Sequence, residues 1–439
     1  MKNFLKNGGI LSIVIEISVL SELIRIFSLN NPLIGESLSM SFTLKGKANK
    51  ILEEIIAFRR ELHQNPELSG EEFETSLRIQ EKLQMHAIPF KAGYAKTGIL
   101  GIIRGSKRGG TVALRADIDA LPITEQTGLE FASKSEGIMH ACGHDSHTAM
   151  LLGAGMLLNE MKEELEGTIL LVFQPAEEKS PVGGASAMMA DGVFDEIKPD
   201  VIIGQHVWPD LEPGMVGVRP GSMMGNSDRF KLIIKGSGGH ASMPHTTVDA
   251  IVVANQVITM LQTIVSRNID PIKSAVVTVG KITGGVAHNV IADEVVIEGT
   301  IRTLSDEVKA QVKNRFIEVV EGTVSSMSGT VEIDYLDGYP ATVNSEKWAR
   351  RVKETAISMF GQNRVPEVAP SMAGEDFGRF LQAYPGVYYW LGCSIGEGQK
   401  PLHNPSFMLD EAIFSDGIEL MSQLAMDALS QIKTGGMND

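Results

Sequence analysis

The sequence predicts an α/β protein in which a layered domain of sheet and helices is interrupted by a smaller unit of order β-α-β-β-α-β. Three observations predict it. From about residue 47 onward, apolar runs of strand length alternate with segments of helical period. Several of those runs are continuously apolar, as in strands covered on both faces by helices. Near residue 226 the pattern changes to strand, helix, strand, strand, helix, strand, and α/β sequence resumes near 338.

The elements follow in order. KANKILEEIIAFRRELHQNP (47–66) has helical spacing and stops at Pro66. GILGIIRG (98–105) and TVALRADID (111–119) read as strands, the second ending in carboxylates. SHTAMLLGAGMLLNEMKEEL (146–165) reads as an amphipathic helix, and GTILLVFQPAEEK (167–179) as an apolar strand running into Glu177 and Glu178. DVIIGQHVW (200–208) repeats the device with His206. In open α/β sheets ligand groups gather beyond the carboxyl ends of the strands, where Asp117, Glu177, Glu178 and His206 all fall.

The second unit reads as strand 229–236, helix 247–267, strands 274–282 and 294–303, helix 305–327 and strand 330–336, a ferredoxin-like order. A helix near 345–360, the strand GVYYWLGC (386–393) and a helix near 410–432 complete the chain. The expected division is an N-terminal extension (1–45), a catalytic domain in two parts (46–225 and 338–439), and an inserted domain (226–337).

Bulk properties narrow the function. The 439 residues are 43% hydrophobic and 21% charged, as in soluble globular proteins. A net charge of −15 and the absence of a basic block exclude a nucleic-acid partner. Two cysteines, Cys142 and Cys393, make no disulfide framework, and a reducing cytoplasm fits them. The apolar stretch Ile10–Phe27 carries Glu16, Glu22 and Arg25, so an amphipathic helix is expected there rather than a stable membrane span. Met40 is an alternative start.

The chemistry concentrates in GIMHACGHDSH (137–147), where thiol, imidazole and carboxylate crowd together. These are the donors that bind zinc, manganese or cobalt; a solvated polar turn is the competing reading. Adjacent residues leaving a strand point different ways, so one of Glu177 and Glu178 can hold a cation while the other faces substrate. Cys142, His144, Glu178, His206 and His403 offer five ligands, too many for one tetrahedral zinc and suited to two ions sharing a bridge. In the inserted unit, KGSGGHASMPH (235–245) carries His240 and His245 in a glycine-rich loop, with Asn289 and Arg302 further on. A strand arginine suits a substrate carboxylate, and a structural ion pair suits it equally.

The chain resembles the dinuclear metallo-amidohydrolase and carboxypeptidase family. That family includes N-acyl-amino-acid amidohydrolases, hippurate hydrolase, indole-acetyl-amino-acid hydrolases and archaeal carboxypeptidases. The resemblance spans roughly residues 50–432 and rests on RRELHQNPELSGEE (59–72), ALRADIDALPI (113–123), MHACGHDSHTAMLLGA (139–154), FQPAEE (173–178), GGHASMPH (238–245), GTIRT (299–303), AGEDF (373–377) and LHNPSF (402–407). It implies a mixed-sheet catalytic domain with a ferredoxin-like lid that also dimerises.

It further implies two divalent ions, zinc first with manganese or cobalt as alternatives, bridged by Cys142. His144 and His206 complete one site, and Glu178 and His403 the other. Glu177 is implied as general base, Asp117 as support for the metals, and His240 and Asn289 as lid groups reaching a neighbouring subunit's oxyanion. Where the wider family has an HxD motif this chain has Arg115-Ala116-Asp117, with His144 as the implied replacement; Ala292 stands where relatives often carry proline. The expected reaction is metal-dependent hydrolysis of an amide beside a free carboxylate, in N-acyl amino acids or short peptides, by a homodimer or homotetramer. Deacetylation of a diaminopimelate-type intermediate and a non-catalytic metal scaffold are the alternatives.

Overall fold

The computed structural model describes residues 32–435; the Ile10–Phe27 segment lies outside them. The first helix, α1 (Pro32–Gln64), starts well upstream of the expected residue 47 and carries Met40 within its backbone. It is followed by α2 (Phe73–Met85), β1 (Phe90–Tyr94), β2 (Gly98–Arg104) and β3 (Lys107–Asp117). Then come α3 (His144–Glu160), β4 (Glu166–Gln174), α4 (Gly183–Ala190), β5 (Val201–Trp208), β6 (Val216–Gly217) and β7 (Gly221–Gly225).

The inserted unit contributes β8 (Asp228–Lys235), β9 (Gly239–His240), α5 (Ala250–Thr263), β10 (Ala275–Gly284) and β11 (Val290–Ile291). It continues through β12 (Glu294–Thr303), α6 (Asp306–Ser326) and β13 (Thr330–Leu336). The chain closes with β14 (Thr342–Asn344), α7 (Glu346–Phe360), β15 (Ser371–Gly374), α8 (Phe377–Ala383), β16 (Gly386–Gly392) and α9 (Ile413–Gly435).

The large sheet has seven strands in the order β1-β2-β4-β3-β5-β16-β6. Its central strands β4, β3, β5 and β16 are parallel, whereas β1, β2 and β6 join antiparallel, so the sheet is mixed. Successive residues of a strand face opposite sides. Accordingly Leu114, Leu171 and Ile203 pack in a core with residues of α1, α3 and α9. Their neighbours Ala113, Leu170 and Ile202 pack with Met188 of α4 and Phe377 and Phe380 at α8. Burial on both faces is why these strands read as unbroken apolar runs.

The smaller antiparallel sheet has the order β10-β12-β8-β13, with α5 and α6 on one face. Along β8 burial alternates, so Phe230, Leu232 and Ile234 face the helices while Arg229, Lys231 and Lys235 face away. Phe230, Val257, Ile297 and Phe316 join in its separate core. Asp249 caps α5, its carboxylate accepting from the Ile251 and Val252 amides, and the Ser305 hydroxyl caps α6 by accepting from Val308. A three-stranded sheet, β14-β7-β15, lies between the large and small sheets in sequence and was not expected; β9 and β11 form a two-stranded ribbon.

Candidate active site

Parallel pairing brings the strand ends together. Asp117 lies opposite Gln174, and Arg115 opposite Val172 and Gly204, so β3, β4 and β5 finish along one edge of the sheet. Asp117 is the last residue of β3, His206 sits near the end of β5, and Glu177 and Glu178 follow β4 after Pro175. Cys142 precedes Gly143, whose φ of +84° turns the chain into α3, and His144 is the first residue of that helix. His403 comes from a loop whose amide donates to the Ala141 carbonyl at 2.8 Å, beside Cys142.

The five expected ligands converge. Donor atoms of Cys142, His144 and His206 lie within 4.8 Å of one another, as do those of Cys142, Glu178 and His403. Two triads therefore share one thiol. Cys142 Sγ is 3.6 Å from His206 Nε2, and His403 Nε2 is 2.9 Å from Glu178 Oε1.

Hydrogen bonds set the imidazoles. His206 Nδ1 donates to the Val207 carbonyl at 2.6 Å, leaving Nε2 toward the thiol. His144 Nδ1 lies 3.0 Å from both the Asp119 carbonyl and its Oδ1, while Nε2 is buried with no hydrogen-bond partner. A histidine oriented through one nitrogen with the other free matches the usual arrangement of a metal ligand. His147 differs, because its Nδ1 meets Asp117 at 2.6 Å and its Nε2 accepts from the Val207 amide at 2.9 Å. With both nitrogens engaged, it supports the strand that carries His206.

Charge tells the same story. Burial, then Glu178 and Glu177, pushes the Cys142 thiol well above its ordinary pKa. Burial, then Glu375 and Glu178, likewise raises the Glu177 carboxyl well above its usual range. Burial opposes charge on His144, yet Asp117 and Asp119 outweigh it and push it up to about 10. Buried carboxylates crowd the thiol and Glu177, and divalent cations held among these donors would offset their repulsion. The donor set fits two such ions.

Several supporting groups escaped the sequence reading. Asp119 accepts from the Glu178 amide (2.9 Å) and the Ser69 hydroxyl (2.6 Å) while holding His144, so one carboxylate orients two candidate ligands. Glu72 accepts from the amides of Gly70 (2.7 Å) and Ala176 (2.8 Å) and from Thr97, fixing the left-handed Ala176 immediately before Glu177. Arg115 is fully buried and reaches Asp117 (2.7 Å), Glu375 (3.0 Å) and Asp376 (3.0 Å). Asp376 in turn donates its amide to Glu177 Oε1 at 3.3 Å, and Tyr339 donates its hydroxyl to the Glu177 carbonyl. Glu72, Asp119, Glu375 and Asp376 lie inside the quoted motifs ELSGEE, ADIDALP and GEDF, and those motifs were the signal available.

A cavity of about 450 Å³ opens over the triads, lined by Cys142, Glu177, Glu178, His206 and His403. Trp208, Met224, Tyr339 and Leu402 add apolar wall, and Arg229 and Arg302 enter from the small sheet. His240 and Asn289 do not line it. They sit exposed on the β9–β11 ribbon, where the Ala241 amide donates to the Asn289 carbonyl.

Residues 113–427 match peptidase family M20/M25/M40. The chain is 47% identical over 374 residues to the N-acetyl-L-cysteine deacetylase of Bacillus subtilis, covering 84% of this chain and 88% of that protein. It is 38% identical over 390 residues to thermostable carboxypeptidase 1 of Saccharolobus solfataricus, covering 87% and 97%. Among solved structures it resembles a putative aminohydrolase from methicillin-resistant Staphylococcus aureus (TM-score 0.83, 37% identity, 88% and 99% covered). It also resembles a dinuclear metal-binding peptidase from Bacillus subtilis (TM-score 0.77, 36% identity, 87% and 99% covered). With its fold, its paired ligand triads and these relatives in agreement, the chain belongs to peptidase family M20/M25/M40 and is a hydrolase of that family.

Proposed function

We propose that the chain hydrolyses the amide bond beside a free carboxylate in N-acyl amino acids or short peptides, with Glu177 as general base. The carrying observation is the pair of ligand triads sharing Cys142, with the Glu177 carboxylate at their edge. Relatives named as a deacetylase and a carboxypeptidase support the substrate class, since both cut an amide next to a free carboxylate.

Cys142, His144 and His206 would hold one ion, and Cys142, Glu178 and His403 the other; the thiolate favours zinc, with manganese or cobalt as alternatives. Divalent ions so held supply Lewis acidity, making water acidic enough to ionise near neutrality and polarising the carbonyl. Glu177, buried among carboxylates that favour its protonated form, takes the proton from the attacking water and returns it to the leaving amine nitrogen. Asp119 keeps His144 in place through Nδ1, and Asp117 holds the start of the same helix through His147 and Thr148. Arg302, half-buried with an unpartnered Nη1 in the cavity wall, suits the substrate carboxylate.

The active species in this reading is a dimer. The exposed side of α5 carries Ile251 (48% exposed) and Val252 (47%), and no charged residue occurs from 250 to 266. The edge strand β10 adds exposed Val276 and Ile282. A second copy on this face covers apolar surface and gives the lid groups His240 and Asn289, which miss their own cavity, a partner's site to complete.

Glu177→Gln keeps the shape of the side chain and removes the base. It should lower kcat by about 10²- to 10⁴-fold on N-acetyl amino acids, with metal content equal to wild type. Full activity in that variant would remove Glu177 from the mechanism. Turnover of α-amidated substrates as fast as free acids would remove the carboxylate requirement.

A further inference from the structure

We infer that Arg229 is a specificity determinant and that the preferred substrates are N-acyl dicarboxylic amino acids, such as N-acyl aspartate or glutamate. The inference rests on the proposed amide hydrolysis and narrows its substrate.

Arg229 on β8 pairs with Thr300 on β12. Alternation along β12 puts Thr300 and Arg302 on one face, so Arg229 and Arg302 stand diagonally on the sheet face opposite its helices. Both line the cavity with Cys142, Glu177 and His403. Proximity shows in the charge: burial first, then Arg229, lowers the pKa of Arg302. Two like charges side by side are unfavourable unless an anion comes between or beside them.

No protein anion fills that role among the described residues, where neither guanidinium lies in an ion pair. Asp228, the acidic residue acting electrostatically on Arg302, is already engaged by Lys309 (3.0 Å), the Tyr335 hydroxyl (2.8 Å) and the Gly338 amide (2.9 Å). Arg302 Nη1 is buried without a partner, whereas Arg229 is exposed at the rim. One wall thus offers a deep cation and a shallow one.

A single α-carboxylate occupies the deep position. The second cation then matches a second carboxylate on the same side of the scissile bond, which is the side chain of the released amino acid. Trp208, Met224 and Leu402 give the cavity an apolar wall suited to the acyl group.

The test compares kcat/KM for N-acetyl-L-glutamate and N-acetyl-L-glutamine, which differ by one charge at nearly constant shape, using the metal-loaded enzyme. Wild type should favour glutamate by about tenfold, the equivalent of one charge-assisted contact. Arg229→Met should collapse that ratio toward one, Arg229→Lys should keep part of it, and Arg229→Glu should shift preference to N-acetyl-L-lysine. Turnover of both acids by wild type with a ratio near one overturns the inference and leaves the hydrolase reading standing. An equal loss on both substrates in Arg229→Met also overturns it, because the two arginines then share one carboxylate. Failure to cleave any N-acyl amino acid or short peptide overturns the proposed amide hydrolysis itself.

Discussion

Gly143 separates two candidate ligands, and replacing it with alanine tests how tightly the fold constrains them. Its φ of +84° lies in the left-handed region, where an L side chain costs about 1–2 kcal/mol. An added Cβ would stand 2.5 Å from Cγ2 of Val207, closer than real Cβ contacts allow. Forcing a methyl into a packed interior costs a further 1–3 kcal/mol or so. The sum is roughly 2–5 kcal/mol of destabilisation.

The clash also falls on a functional strand, since the Val207 carbonyl accepts from His206 and its amide donates to His147. Gly128→Ala provides the control: its φ is +72°, but nothing lies within 4 Å of the new Cβ. Urea unfolding of both variants separates the backbone contribution from the clash, and metal analysis reads the effect on the site. Gly143→Ala should lose clearly more stability than Gly128→Ala and bind metal more weakly. Equal losses in the two variants, with wild-type metal affinity, would show that Val207 gives way and that the site does not depend on Gly143.

Further predictions concern charge and assembly. Burial disfavours the His63 cation, yet Asp145 (2.7 Å) and Glu125 (3.2 Å) outweigh that and raise its pKa above the ordinary 6.5. A group raised on folding stabilises fully below its unfolded pKa and loses the contribution as pH rises through its folded one. The stability gap between wild type and His63→Gln should therefore be larger at pH 6 than at pH 9; a gap that grows with pH would contradict this. Val252→Glu, on the exposed face of α5, should convert a dimer to monomer in sedimentation while leaving the monomer folded. It should also lower turnover through loss of the partner's His240 and Asn289. An intact dimer after this change would move the interface elsewhere.

What the sequence disclosed depended on the range of the interaction. Continuous apolar runs identified β2, β4, β5 and β16, because burial on both sheet faces leaves that trace in the chain. Amphipathic period located α5 and α6 to within a few residues. The short strands β7 and β15, SMMG-like segments without alternation, left no such trace; they pair with each other, and β7 also pairs with β14.

The five donors were legible as residue types, and family resemblance divided them between two ions. The buried Arg115 guanidinium and its contacts with Glu375 and Asp376 were not, since those partners lie far along the chain. Asp119 read as the last residue of a strand at 111–119, whereas β3 stops at Asp117 and leaves Asp119 in the turn where it meets His144 and Glu178. His144 proved to be the first residue of α3 rather than part of the preceding loop, which fixes its direction relative to Cys142.

The thiol shared by the two triads is the centre of the proposed site, and metal stoichiometry probes it without any substrate. Wild-type protein and Cys142→Ala, loaded with zinc and dialysed in parallel, are compared for tightly held ions per chain. Two ions are expected in wild type, with a loss of affinity at both positions when the thiol is removed, because each triad loses a donor. Two ions retained with wild-type affinity by Cys142→Ala, or a single ion in the wild-type protein, would contradict it.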